Sequence, residues 1–466
     1  MAANSKLGEI FSSFLATIDN YYDPAALALI KRAAAASPSP TTVEVAIQLL
    51  GPWAGTGLNI PTPPAPAFSF PADHGEHWDT PIEWRYYTLS LDLEGGGRVS
   101  VIANFFRKAI ATAACAPGVR DLDRQIYSTS MAFTLELPGA DPVHHSLPVQ
   151  TFAPVEGGVE VGNDPFRMVV GKNSIVGGSE VFPLHIHVED PGDPLVGRPA
   201  FAVDVDCAAA NPLFLQGKDG YVGPEVKPGE FPAVGWYYYS WPQQLTTGTV
   251  TIGGTAHAVA SGRAWMDHQW GGSPAPSSSA APAWSGWCWF EFQFDGDRSL
   301  TLACPHQAIV DGKLPLVTPG FGTYVEKGNS QLVAAFLEVG AYTKSPNSAA
   351  RYPSSWLIEV VTPPKNPSKT PKKLSQTPPK APPGNSVALV VKPTTVLADQ
   401  SMWLGGLAEY SEAASTVTAF GFAGGGPVKM EGVGYCEGVG FEDPAERNTR
   451  DKTWLRAVLG EPGSPP

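Results

Sequence analysis

Hydrophobic residues change their spacing near residue 68 of the chain. In the first 50 residues they recur every three or four positions, the period of a helix with one apolar face. The clearest run is Leu7, Ile10, Phe11, Phe14 and Leu15. Pro24 follows Asp23 at a favourable first helical position, and TTVEVAIQLL predicts a third short helix. The proline-rich stretch 61–68 then predicts an extended connector.

From Phe68 onward the period is two, which is typical of strands with one buried face. Residues 84–108 predict a hairpin around a Glu-Gly-Gly-Gly turn. Further strand patterns follow as far as residue 441, interrupted by turn residues. We therefore predict a mostly β protein with two consecutive β-barrel or sandwich domains and a short N-terminal helical extension. The predicted units are the extension at 1–66, a first β domain at 67–260 and a second at 261–466.

The composition supports this fold class. Glycine (49) and proline (47) make up about a fifth of the 466 residues, and both are costly inside helices. The 31 basic and 44 acidic residues give a net charge of −13, which disfavours nucleic acid and anionic membranes as partners. Five widely spaced cysteines without a CxxC pair predict free thiols in a reducing compartment.

The N-terminus lacks the pattern of a signal peptide, and no run of 18 apolar residues occurs, so we predict a cytoplasmic protein without a membrane span.

One segment does not fit a β core. Residues 363–384 contain eight prolines, five lysines and no acidic residue. That composition cannot build a packed core and predicts a disordered surface loop within the second domain.

Two clusters combine aromatic and acidic residues. EHWDTPIEWRYY covers 76–87 and SGRAWMDHQWGG covers 261–272. In the second cluster Trp265 and Asp267 share one face of a strand, because side chains alternate. A carboxyl among aromatic rings is desolvated, which raises its pKa and suits it to general acid catalysis. Aromatic faces also stabilise developing cations. Asp267 and Glu83 are therefore the candidate acids.

Metal chemistry has weaker support in the sequence. His185 and His187 stand two residues apart on a predicted strand and so share a face, but no third ligand accompanies them. We predict no metal site and no cofactor.

The two clusters, together with a terminal glycine-rich segment, resemble one protein family. The segments are Glu83-Trp84 with Tyr86-Tyr87, then Gly262 to Gly271 around WMDHQWG, then Gly432 to Gly438 in EGVGYCEGVGFE. They resemble the lipocalin-like group that includes hydroxyneurosporene synthase (carotenoid 1,2-hydratase), with the fungal decalin-forming Diels–Alderases as distant members. The resemblance covers roughly residues 68–445 and implies two lipocalin-like (calycin) β domains, a small apolar ligand and no redox cofactor.

The resemblance leaves three functions open. The first is an enzyme that hydrates or cyclises a hydrophobic polyene or isoprenoid at a C=C bond, with Asp267 or Glu83 as the proton donor. The second is a pericyclase that pre-folds a polyene, and the third is a non-catalytic carrier of an apolar metabolite. The predicted substrate-binding residues are Trp84, Tyr86, Tyr87, Tyr238, Trp265, His268 and Trp270. The sequence does not specify the oligomeric state.

Overall fold

The computed structural model describes most of the chain. The described residues are 5–17, 24–35, 38–50, 58–178, 181–223, 235–272, 286–306, 317–363, 374, 381–382, 384–404, 408–442, 449, 453 and 456. Most of the predicted loop 363–384 lies outside these residues. Leu374 is described and buried, and its backbone N–H donates to a Glu338 carboxyl oxygen at 3.3 Å.

Three helices form the N-terminal extension, as predicted: α1 Lys6–Leu15, α2 Pro24–Ala35 and α3 Pro40–Leu50. Ser5 caps α1 by accepting a hydrogen bond from the N–H of Gly8, and α2 and α3 each begin at a proline, whose missing N–H is not needed there. No helix within the described residues combines the length and apolar character needed to cross a membrane.

The extension packs against the first sheet through a mostly apolar surface that contains one buried ion pair. Side chains of the helices share a core with Ile110 and Ile126 of the β region. Within this contact Glu44 lies 2.5 Å from the Lys108 ammonium, and Ser128 donates a hydrogen bond to its carboxylate at 2.7 Å. A buried carboxylate is tolerated when it is paired and hydrogen-bonded in this way.

The rest of the described chain consists mainly of strands. Those of the first sheet are β1 Ile82–Leu93, β2 Arg98–Ala109, β3 Gln125–Glu136, β4 Val143–Ser146, β5 Gln150–Phe152, β6 Val159–Asn163, β7 Phe166–Val170, β8 Asn173–Gly178, β9 Val181–Asp190, β10 Phe201–Ala209, β11 Phe214–Leu215, β12 Tyr221–Val222, β13 Gly235–Ile252 and β14 Thr255–Gly272. Those of the second are β15 Gly286–Phe294, β16 Arg298–His306, β17 Thr318–Glu326, β18 Asn329–Lys344, β19 Arg351–Val361, β20 Ala388–Thr395, β21 Ser401–Leu404, β22 Ala408–Ala423 and β23 Gly426–Val439.

The two sheets are antiparallel and each has its own apolar core. The main path of the first runs β4-β3-β2-β1-β14-β13-β10-β9-β8-β7-β6 and forms a half-barrel. The second runs β20-β19-β18-β17-β16-β15-β23-β22-β21, and pairing of β20 with β22 closes eight of its strands into a barrel. The mostly β class is therefore confirmed, with one closed barrel and one half-barrel.

The predicted boundary near residue 260 falls inside a strand. β14 pairs along its length with β1 and β13 of the first sheet, and β15 belongs to the second. The first sheet thus ends at Gly272 and the second begins at Gly286. A third apolar cluster, which includes Tyr86, Trp265 and Trp289, lies where the two halves meet.

Candidate active site between the two halves

Neighbouring residues of β1 point to opposite faces of the first sheet. Tyr87 belongs to the core of the half-barrel, whereas the hydroxyls of Tyr86 and Thr88 bond to side chains of the second half. The same alternation on β14 separates Asp267 from His268. The predicted site is therefore divided. The face toward the second half carries Trp84, Tyr86, Tyr238, Trp265 and Asp267. The face toward the half-barrel interior carries Glu83, Tyr87, His268 and Trp270.

Asp267 is held by three hydrogen-bond donors of its own half. The hydroxyl of Tyr238 donates to Oδ2 at 2.6 Å, the indole Nε1 of Trp265 donates to Oδ1 at 2.8 Å, and the Ser240 hydroxyl also donates to Oδ1. Burial raises the pKa of Asp267 to about 7, even though these three hydrogen bonds act to lower it. Desolvation thus acts on Asp267 as the sequence predicted.

Three glutamates of the second half lie at the interface with the first. They are Glu291 on β15, Glu412 on β22 and Glu437 on β23. Glu291 and Glu437 are close enough to Asp267 to feel its charge, and Glu412 accepts a hydrogen bond from Tyr86. Glu412 and Glu437 pair directly across their strands, and Tyr86 pairs with Asp267 in the facing sheet. The four carboxyl groups of Asp267, Glu291, Glu412 and Glu437 are called the interdomain acid cluster below.

Hydrogen bonds fix one oxygen of each glutamate. Thr88 Oγ1 donates to Oε1 of Glu291 at 2.8 Å, and Tyr86 Oη donates to Oε1 of Glu412 at 2.8 Å. The indole of Trp287 donates to Oε1 of Glu437. Within the described part of the chain, Oε2 of Glu291 and Oε2 of Glu412 are buried without a hydrogen-bond partner. Each of these two carboxyls therefore has one oxygen fixed by a hydroxyl donor and one that is not.

The glutamates hold protons more tightly than exposed glutamates do. Burial, followed by weaker effects that include repulsion from Asp267, raises the pKa of Glu291 to about 8. Burial and then repulsion from Glu437 raise the pKa of Glu412. Burial also raises the pKa of Glu437. Among the described residues, none of the four acids forms an ion pair with a cationic side chain. The cluster therefore stores protons near neutral pH.

Aromatic rings surround the acids. The ring centroids of Tyr86 and Trp289 lie 5.2 Å apart in an edge-to-face arrangement, and Trp265 lies 6.5 Å from Trp289. Asp267, Glu291 and Glu412 are buried, but Glu437 is partly exposed, as is its hydrogen-bond donor Trp287. The cluster is thus an acidic, aromatic site that reaches solvent at Glu437.

Glycines of the terminal motif allow β23 to bring Glu437 and Tyr435 into place. A Cβ on Gly434 would lie 1.9 Å from the carbonyl oxygen of Glu291, and one on Gly432 would lie 2.3 Å from that of Gln293. Only glycine permits such a close approach of two backbones. The glycine-rich segment thus positions the strand that carries one acid beside the strand that carries another.

Glu83 lies in an ion network inside the half-barrel. Its carboxylate contacts Arg107 Nε at 2.9 Å, His268 Nε2 at 2.7 Å and His77 Nδ1 at 2.9 Å. Burial would raise the pKa of Glu83, but the charges of His77, Arg107 and Arg85 outweigh it and hold the pKa well below the usual range. The expectation of a protonated acid is therefore wrong for Glu83.

The other predicted residues of this face support the same network. The ring of Trp270 stacks on His77 with 3.8 Å between centroids, and His268 Nδ1 lies 2.9 Å from the hydroxyl of Tyr239. Tyr87 packs in the core. These residues are separated from Asp267 by the sheet itself.

One group of three side chains in the described residues has the proximity of metal ligands: His77, Glu83 and His268. Arg107 and Arg85 already lie 2.9 Å and 3.5 Å from Glu83, so a cation there would face two guanidinium groups. The chemistry of this donor set does not favour a metal.

The histidine pair singled out in the sequence lies on the surface of β9. His185 Nδ1 is 3.0 Å from Asp206 and His187 Nδ1 is 3.1 Å from Asp204, each across from its partner on β10. The two histidines thus belong to cross-strand contacts of the half-barrel, away from the interdomain acid cluster.

Sequence reasoning missed Glu291 and Glu412. Glu291 is the single acid in the apolar run WCWFEFQF, whereas Glu412 is one of two acids in AEYSEAAS. An acid on the buried face of a strand is a usable signal because burial of a carboxyl needs a reason. Glu437 lies within the glycine-rich segment that carried the resemblance, but its role was not recognised.

Comparison with known proteins places these features in a family. The model of the AttH-like family matches residues 61–440, which include both sheets and all four acids. No curated protein sequence matches the chain significantly.

Solved structures show the same fold. A putative AttH protein from Nitrosomonas europaea has a TM-score of 0.58 at 20% identity, and the alignment covers 82% of this chain and 100% of that one. Kievitone hydratase from Nectria haematococca has a TM-score of 0.53 at 14% identity, covering 83% and 98%. CghA with bound Sch210972 is less similar, with a TM-score of 0.39 at 12% identity, covering 77% and 88%.

Proposed function

The chain belongs to the AttH-like family, and from that premise we propose that it is an enzyme of the hydratase or cyclase kind. Its substrate is a small hydrophobic polyene or isoprenoid, and its reaction is acid-assisted hydration or cyclisation at a C=C bond without a redox cofactor. We also propose that, within this family, the chain is related to hydroxyneurosporene synthase.

The observation that carries the proposal is the interdomain acid cluster. Protonation of an alkene needs an acid that still holds its proton near neutral pH and is shielded from water. Asp267, Glu291 and Glu412 are buried, and burial raises the pKa of each. Trp265 and Trp289 beside them supply ring faces that stabilise positive charge as it develops on carbon.

In this mechanism Asp267 donates the proton. The proton leaves the carboxyl and bonds to one alkene carbon, and a water oxygen or an internal nucleophile bonds to the other. The nucleophile then loses a proton to a carboxylate of the cluster, which restores the proton count. Tyr238 and Ser240 orient Asp267, and Trp84, Tyr86 and Trp265 contribute to substrate binding. His268, Trp270, Tyr87 and Glu83 have no part in it, because they face the half-barrel interior.

The four acids favour this function over a pericyclase or a carrier. A pericyclase needs neutral hydrogen-bond donors, and a carrier needs no convergent polar groups; neither accounts for four carboxyls gathered at one interface. The fold similarity to kievitone hydratase, whose name describes addition of water, supports hydration in particular.

Isotope-labelled water tests the proposal. The full-length protein is incubated with a panel of prenylated phenols, linear isoprenoids and polyenes in H₂¹⁸O, and products are analysed by mass spectrometry. Hydration adds one labelled water, and cyclisation gives an isomer of unchanged mass with a new retention time. Heat-denatured protein is the control. An isomer whose formation does not depend on pH or on Asp267 would favour the pericyclase, and tight binding without any product would favour the carrier.

A further inference from the structure

In the described part of the chain, buried oxygen atoms in and beside the interdomain acid cluster lack hydrogen-bond partners. Glu291 and Glu412 are 0% and 1% exposed, and the Oε2 atom of each lacks a hydrogen-bond partner in the described part of the chain. Asn104, 1% exposed, donates to Tyr410 but leaves its own carbonyl oxygen without a partner within the same described residues. Buried acceptors without donors are costly unless a bound molecule or water supplies what they lack. Once Glu291 and Glu412 ionise, these oxygens carry negative charge that no cationic side chain of the described residues balances, so a bound positive charge would supply the missing partner.

The surrounding rings favour the same kind of partner. Tyr86, Trp265 and Trp289 form a chain of edge-to-face contacts with centroid distances of 5.2 Å and 6.5 Å. The face of an aromatic ring attracts a cation, most strongly one that carries apolar groups and gives up little hydration. Carboxyls and indole rings together thus select for positive charge on an apolar body.

We propose that the interdomain acid cluster is a binding site for organic cations whose charge is enclosed by apolar groups, of which a quaternary ammonium ion is the simplest stable example. The proposal rests on the site assigned under the proposed function and deepens it. There the cation is the substrate skeleton after it has gained a proton, so a permanent cation occupies the same place.

Binding of such a cation is linked to proton release. The titratable groups that face the cluster come from every strand around it: Asp267, Tyr86 and Tyr238 from the first half, and Glu291, Tyr410, Glu412, Tyr435 and Glu437 from the second. The tyrosines stay neutral because burial raises the pKa of each further above its usual value. The carboxyls hold protons more tightly than exposed carboxyls do, because burial raises the pKa of each, and a bound cation favours their ionised form. Affinity therefore increases with pH, by up to tenfold per pH unit for each proton released.

Calorimetric titration with a matched pair of probes tests this. Phenyltrimethylammonium carries a charge that does not depend on pH, and tert-butylbenzene is its neutral isostere. Binding of each to the full-length protein is measured at pH 6, 7 and 8 in two buffers of different ionisation enthalpy. We expect the cation to bind at least about tenfold more tightly than the isostere at pH 8, and we expect its binding to release protons at pH 6, below the pKa of about 7 of Asp267 and Glu437.

Isosteric variants connect the effect to the cluster. E412Q and E437Q should each weaken binding of the cation and reduce the number of protons released, while E359Q, on the outer face of β19, should change neither. Thermal melting establishes that each variant is folded, and the two cluster variants serve as independent tests if one is not.

Three results would overturn the inference: equal affinity for both probes, affinity of the cation that does not change with pH, or an unchanged effect in E412Q and E437Q. Labelled hydration product alongside any of these results would leave the proposed function intact. Cation binding without a product would instead support the inference and count against the proposed function.

Discussion

Glu412 and Glu437 are direct cross-strand neighbours in the register of β22 and β23, and repulsion from Glu437 adds to burial in raising the pKa of Glu412. Like charges directly opposite on a sheet repel one another, so one of the two carboxyls keeps a proton near neutral pH. This pair belongs to the second half of the molecule, and Asp267 faces it from the first. Both halves are therefore needed to form the acidic site.

Replacing Asp267 with asparagine tests its role as the proton donor. The side chains are nearly isosteric, so D267N should fold and bind substrate while turnover falls by about 10²–10⁴, the usual contribution of general acid catalysis. Single-turnover rates and melting temperature are measured on the same preparation. A variant destabilised by about 1–3 kcal/mol, as expected for an unsatisfied buried partner, but with normal turnover per folded molecule would remove Asp267 from the mechanism.

The contribution of Glu291 to the stability of the protein should decrease as pH rises from about 4.5 to about 8. A carboxyl whose pKa is raised by folding stabilises the native state fully below its unfolded pKa and loses that contribution as pH rises through the folded value. Glu291, raised from 4.5 to about 8, defines this range. The slope for one group reaches at most about 1.4 kcal/mol per pH unit. In denaturant unfolding at pH 5, 6, 7 and 8, the unfolding free energy of the wild type should fall relative to that of E291Q as pH rises, and parallel curves would contradict the assigned shift.

Loss of a cation from the ion network of the half-barrel should lower stability and leave turnover unchanged, the opposite of the effect expected for D267N. R107M removes a guanidinium 2.9 Å from Glu83 and takes one cationic partner from a buried carboxylate, which costs about 3–5 kcal/mol of unfolding free energy. Because this network faces away from Asp267, turnover per folded molecule should stay the same. A large loss of turnover in folded R107M would show that the two faces of the sheet act together.

Leu374 should contribute to stability even though it stands in a segment predicted as a solvated loop. Its side chain is 5% exposed, so L374A should lower the unfolding free energy by about 2 kcal/mol, the lower end for a buried leucine. L374M retains most of the volume and should cost under about 1.5 kcal/mol. Equal melting temperatures of L374A and the wild type would indicate that this contact is not formed in solution.

The sequence predicted the class of fold because alternation along strands is a local property. The tryptophan and aspartate of β14 were correctly assigned to one face, since positions two apart share a face whatever the partner strand. Glu83 was misjudged because its neighbours in the chain are aromatic, whereas its neighbours in space are Arg107 and His77. For Glu291 the local signal, an acid within an apolar strand, was present, but its acidic neighbours Asp267, Glu412 and Glu437 lie on three other strands and could not be identified from the sequence.

The alternation along β14 makes the length of this strand a constraint on how the family can vary. A single residue inserted between Ala264 and Asp267 would turn the aspartate into the half-barrel and present His268 to the acids of the second half, since a one-residue slip exchanges the faces of a strand. The Gly253-Gly254 turn that precedes the strand can absorb an insertion without this exchange. Homologous enzymes that retain the acidic site are therefore expected to differ in length at that turn and to keep the stretch from Arg263 to Trp270 free of insertions and deletions.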